Sequence, residues 1–198
     1  MKNELRICAL TLALAASGSA AAHQLVYVAS LSGANEAPPN ASLGIGSTTV
    51  TLDIDNMTMR VQASFSGLTG NTTASHIHCC TLLPGVSTAG VATVTPTFTG
   101  FPAGVKAGSY DHTYDMALAT SYNAAFVTAT GSVLNAWTAL MNGIADGKAY
   151  LNIHTSAVGS GEIRGFLAAV PSAVPLPAAL PLFATALGIA GGLRRRYS

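Results

Sequence analysis

Residues 46–65 carry the pattern that most restricts the fold of this chain. Val50, Leu52 and Ile54 alternate with Thr49, Thr51 and Asp53, Asp55-Asn56 supplies turn residues, and Met57, Met59, Val61, Ala63 and Phe65 return in phase. A period of two sends successive side chains to opposite faces of a strand, so this stretch reads as a hairpin with one apolar and one hydroxyl-rich face. A hairpin is marginal alone and needs further strands to cover its apolar side.

Those strands are legible on both sides. Segments 24–31, 73–78, 91–98, 109–118, 148–154 and 162–169 are short and β-prone, and Gly159-Ser160-Gly161 turns the last two into a second hairpin. About eight short strands with glycine-rich connections predict an all-β fold, an antiparallel Greek-key-like sandwich or barrel. One stretch differs. Val133, Trp137, Leu140, Met141 and Ile144 recur at helical spacing, with Ser132 as N-cap and Gly143 or Gly147 as a stop, so residues 132–144 read as one short amphipathic helix packed on the sheet. A shorter turn is expected near 123–128, and Trp137 is read as core.

The chain has 198 residues, 49% hydrophobic and only 9% charged, against about 25% charged in an average soluble domain. The basic residues concentrate at the ends. Between His23 and Val170 there are four (Arg60, Lys106, Lys148, Arg164) against seven acidic residues, a net charge of −3. With no basic stripe to neutralise phosphates, nucleic acid is excluded as an expected partner.

The two ends read as addresses. Residues 1–22 carry Lys2 and Arg6, an apolar run and a small-residue close at Ala20 and Ala22, the layout of a secretory signal peptide cut by signal peptidase after Ala22. The other end, residues 171–198, has Val174-Pro175-Leu176-Pro177, an uncharged apolar stretch to Leu193, and Arg194, Arg195 and Arg196. By the positive-inside rule those arginines form a cytoplasmic stop. This tripartite tail resembles the PEP-CTERM sorting signal, with Leu176 where the name-giving glutamate would stand. The resemblance implies transient inner-membrane anchoring, processing by an exosortase-type enzyme, and delivery to the cell surface or extracellular matrix of a Gram-negative bacterium.

Residues 23–170 are then a single domain. Leu31-Ser32-Gly33-Ala34-Asn35-Glu36-Ala37-Pro38-Pro39, Ala74-Ser75-His76-Ile77-His78, and Tyr150-Leu151-Asn152-Ile153-His154-Thr155 running to Gly161-Glu162-Ile163-Arg164-Gly165 together resemble the CHRD domain, named after chordin. That resemblance implies an all-β module without an established catalytic activity, which in chordin-like animal proteins accompanies growth-factor binding.

The chemistry-bearing residues are few. His76 and His78 stand two apart, so on a strand both imidazoles leave one face, and His154 lies in a segment expected to pair nearby. Three histidines on a β-scaffold suit copper or zinc, and the H-x-H pattern resembles the ligands of copper-zinc superoxide dismutases, also antiparallel β-barrels. The alternative places these imidazoles inward, hydrogen-bonded to backbone or to Glu162. His112 and Asp111 are a possible supplement. Cys79 and Cys80 remain after Cys8 leaves with the signal peptide; a vicinal disulfide, two thiols and metal thiolates all stay open, the bridge being favoured in an oxidising compartment. Glu162 and Arg164, two apart on an expected strand, are read as a structural charge pair. Among the motifs of Walker loops, Rossmann folds and serine nucleophile elbows, none occurs in the sequence. The expected function is therefore a non-catalytic surface or matrix module binding protein or polysaccharide. The alternative is a metal-binding domain, with a redox role open to it, built on His76, His78 and His154.

Overall fold

In the computed structural model of the protein the 46–65 hairpin forms with the register that its alternation requires. Strand β2 (Ile45–Asp53) pairs antiparallel with β3 (Thr58–Ser66), setting Val50 opposite Val61 and Leu52 opposite Met59. All four of these side chains are fully buried. Asp53 accepts from the Asn56 backbone N–H at 2.9 Å and closes the turn.

The structure describes residues 23–170. The signal-peptide reading of 1–22, the Val174–Pro177 motif and Arg194–Arg196 all lie outside the described residues.

The remaining strands are β1 (Gln24–Ser32), β4 (Thr72–His78), β5 (Gly108–Asp115), β6 (Tyr150–Thr155), β7 (Ile163–Phe166) and the two-residue β8 (Ala168–Ala169). They join one antiparallel sheet in the order β4-β6-β7-β1-β2-β3-β5, with β8 pairing β1, and the sheet curls into a half-barrel. The all-β expectation holds in this curled form. The concave face holds the core, where Leu31, Leu52, Met59, Ile77, Leu151, Ile153 and Ile163 are each at most 1% exposed.

Residues 91–98 do not form the strand that their composition predicts. They run beside β4, where Val91 makes an isolated bridge to His78, while Thr93 bridges Tyr122. Ala92 donates to the Ile77 carbonyl and Phe98 to the Ser75 carbonyl, both at 3.0 Å. Pro96 has no N–H to offer a ladder, so the segment covers the edge of β4 without extending the sheet.

Two helices follow β5: α1 (Ala124–Thr130) and α2 (Val133–Ala145). Ser132 caps α2 by accepting from the Asn135 N–H, and Ala136, Trp137, Leu140, Gly143 and Ile144 form its buried side. The helix stops at Asp146, and Gly147 takes the left-handed conformation at φ +67° that glycine adopts without steric cost. The glycine at position 143 has a different cause, since a Cβ there would overlap the sulfurs of both Cys79 and Cys80.

One third of the sheet is unlike the rest. In β6, Tyr150, Leu151, Asn152 and Ile153 are all buried, and in β7 so are both Ile163 and Arg164. Strands covered on both faces need two buried layers. Below β4-β6-β7 lies the apolar core; above it lies a second layer made of His76, His78, Tyr150, Asn152, His154 and Arg164.

Candidate metal centre

The second layer follows from register. His76 on β4 stands opposite Asn152 on β6, and His78 opposite Tyr150, so the period of two raises His76, His78, Tyr150, Asn152 and His154 from one face. The imidazole centroids lie 5.3 Å (76 to 154), 5.6 Å (78 to 154) and 5.8 Å (76 to 78) apart. One nitrogen from each ring falls within 4.8 Å of the other two.

Each ring is held through one nitrogen by a backbone carbonyl. His76 Nε2 lies 2.6 Å from the Pro96 carbonyl, His78 Nδ1 2.9 Å from that of Ala89, and His154 Nδ1 3.0 Å from that of Gly159. A carbonyl oxygen only accepts, so each of these nitrogens carries the proton and the opposite nitrogen presents a lone pair. Those opposite atoms, His76 Nδ1, His78 Nε2 and His154 Nε2, are buried and have no hydrogen-bond partner. Burial, against the pull of the carbonyls, pushes all three imidazoles below the usual histidine range, His78 to about 4. They are neutral at pH 7, the form that ligates metals. Clustered neutral imidazoles whose N–H groups are fixed by backbone carbonyls have the kind of outer-shell anchoring that metal-ligating histidines use.

Around the cluster sits a polar and aromatic shell. Tyr150 stacks parallel on His78 at 4.9 Å, and the Arg164 guanidinium lies 4.6 Å from the Tyr150 ring centroid. Arg164 also donates to the carbonyls of Asn35 (2.5 Å) and Ser87 (3.0 Å) and faces Glu36 at 3.7 Å. Burial raises the Glu36 carboxyl to about 7 against the opposing pull of Arg164, the Ala37 N–H and Asn152. The Asn152 amide packs under Gly161, at φ +129°, where any Cβ would overlap it.

The expected Glu162–Arg164 charge pair is not what the structure contains. Arg164 faces Glu36, whereas Glu162 accepts from Ser42 Oγ (2.6 Å), Thr155 Oγ1 (2.6 Å), Thr69 N (2.5 Å) and Gly70 N (3.0 Å). Glu162 precedes β7 and lies in the turn, outside the regular alternation that would set it beside Arg164. Asp111 and His112 do not join the cluster: Asp111 binds Arg60 at 2.5 and 2.7 Å, and His112 packs on Tyr114. Cys79 and Cys80 are joined to each other and lie against Gly143 of α2. Their sulfurs are committed to that bond, and neither is in the histidine cluster.

Sequence reasoning missed Tyr150, Asn152 and the Glu36–Arg164 pair as parts of this layer. The available signal was Asn152, a polar residue between Leu151 and Ile153 in phase with His154.

The CHRD domain family model matches residues 27–167, from β1 to the end of β7 and including every residue of the histidine layer. No curated protein and no solved structure matches the chain. On a match that spans most of its length, the chain belongs to the CHRD domain family.

Proposed function

We propose that this is an exported CHRD-domain protein whose domain holds one copper or zinc ion on His76, His78 and His154 while displayed outside the cytoplasm. The observation that carries the reading is a cluster of three imidazoles, each with one buried, partnerless nitrogen, whose ligand atoms lie within 4.8 Å of one another. An unsatisfied buried polar atom costs about 1–3 kcal/mol, so three in one cluster are expensive unless one ligand satisfies them together. A purely structural histidine cluster would use both nitrogens of at least some rings. Here each ring spends one nitrogen on a carbonyl and leaves the other buried without a partner. The sequence character of the two ends supports delivery: signal peptidase removes 1–22, the membrane holds the tail briefly, and an exosortase-type enzyme releases the domain to the cell surface or matrix.

Native mass spectrometry of the released protein, from cells grown with copper and zinc, tests both parts. One metal ion per chain is expected, on a mass lacking Arg194–Arg196. Less than half an equivalent of metal sinks the metal reading, and arginines retained on the released form sink the processing.

A second role is favoured by the outer sheet face, where Ser47, Thr49, Gln62, Ser64, Ser109 and Asp111 line an open polar groove. Hydroxyls beside the Arg60–Asp111 ion pair on a rigid sheet suit a polysaccharide surface partner. Cosedimentation with the producing cell's own surface polysaccharide should fall at least ~10-fold for Ser64→Trp, whose bulk fills the groove; unchanged cosedimentation rejects the role.

A further inference from the structure

Given the three-histidine site proposed above, we infer that its resident ion is monovalent copper, and that the site discriminates against divalent zinc by charge. The donor set is three neutral imidazoles and nothing else: among the described residues no Cys, Asp or Glu joins the group of ligand atoms. The donor nitrogens are buried. A divalent ion there keeps its full double charge in a poorly solvated place. The cost of burying an ion rises as the square of its charge, so a divalent ion pays about four times what a monovalent one does. Zinc sites with three histidines relieve this through an open fourth position that takes water or hydroxide.

The surroundings add no compensation. In many zinc sites the ligating histidines pass their other N–H to carboxylates, which raise ligand basicity and share the metal's charge. All three N–H groups here go to backbone carbonyls of Pro96, Ala89 and Gly159. Arg164 and Glu36, the ionisable pair in this layer, face each other. Arg164 packs on Tyr150, whose ring stacks on His78. A guanidinium behind one ligand repels an added divalent ion more than a monovalent one. Monovalent copper is content with three nitrogen donors, so it needs nothing that this layer lacks. Around bonds of about 2.0 Å three donor nitrogens stand about 3.5 Å apart, a spacing compatible with ligand atoms that all lie within 4.8 Å of one another. His154 is the least buried of the three residues and precedes the Ser156–Gly161 turn.

The test is competition on the mature exported protein: anaerobic copper(I) against bicinchoninate, and zinc(II) against a colorimetric zinc chelator. Copper(I) is expected to bind one equivalent at least ~10³-fold more tightly than zinc(II). Copper-loaded protein returned to air should stay silent in electron paramagnetic resonance. Asn152→Asp, isosteric and directly opposite His76, places a carboxylate in the layer and should narrow the preference at least ~10-fold. Zinc bound as tightly as copper(I), or a copper(II) signal appearing in air, overturns the charge argument and leaves the metal site standing. An unchanged preference in a folded Asn152→Asp protein also overturns it. Binding of neither metal overturns the site itself.

Discussion

His154→Ala should empty the site: metal retained by the exported protein falls from about one equivalent to under a tenth, read by elemental analysis after dialysis. Removing an outer-shell partner of a metal ligand typically costs ~10–100-fold in affinity, and removing one of three ligands should exceed that. His154 is the informative choice because its only protein hydrogen bond is to Gly159 in its own hairpin, so the apo fold loses little when the ring goes. Linkage gives a second readout. An ion present at about 1,000 times its dissociation constant stabilises the folded state by ~4 kcal/mol. The wild-type unfolding midpoint should therefore rise on metal addition while that of His154→Ala stays fixed. His112→Ala, outside the cluster, should behave as wild type. A variant that keeps its metal, or a wild-type midpoint indifferent to it, contradicts the assignment.

Glu162→Gln should be the most destabilising conservative substitution in the domain. The carboxylate is fully buried and ties together three chain segments, through Ser42, through Thr69 and Gly70, and through Thr155. Burial alone would raise its pKa, but the donors from Ser42, Thr155, Thr69 and Gly70 prevail and hold it at about 2. The folded value lies below the unfolded one of about 4.5, so the stabilisation is complete above pH ~5 and disappears as pH falls through 2. A depression of that size is worth about 3 kcal/mol. The amide that replaces the carboxylate would turn an NH₂ toward groups that themselves donate, leaving buried donors without acceptors. Chemical denaturation at pH 7 should show a loss of ~3 kcal/mol or more. Between pH 5 and pH 2 the gap between variant and wild type should shrink, because acid removes from the wild type what the substitution has already removed. A constant gap across that range would show that Glu162 is held by something other than its charge.

Much of the architecture can be read directly from residue order. The hairpin at 46–65 is legible because its alternation is uninterrupted and one face is apolar apart from Thr48, which fixes register as well as strand. Helix α2 is legible from its 3.6-residue repeat and the Ser132 cap. The segment 91–98 misleads because its local composition favours a strand, while Pro96 and the Thr93 and Thr97 hydroxyls, which accept from the Ile77 and Ser75 N–H groups, tie it to β4 as an irregular cover. The Glu162–Arg164 spacing misleads for a related reason. A spacing of two implies a shared face only within a regular strand, and Glu162 sits one residue before β7 begins.

From the chain alone came the pairing of His76 with His78 on one face, since the period of an extended backbone leaves no other arrangement. Tertiary structure decided the rest: that β6 lies beside β4 and so brings His154 to them, that the carbonyls of Ala89, Pro96 and Gly159, from two loops, accept one ring N–H each, and that every ring keeps one buried nitrogen without a partner. The strand pairing joins residues far apart in the chain, His76 with Asn152 and His78 with Tyr150, and no local pattern encodes the distance between them. Geometry across the sheet is set by which strands pack together, and that is a property of the whole fold.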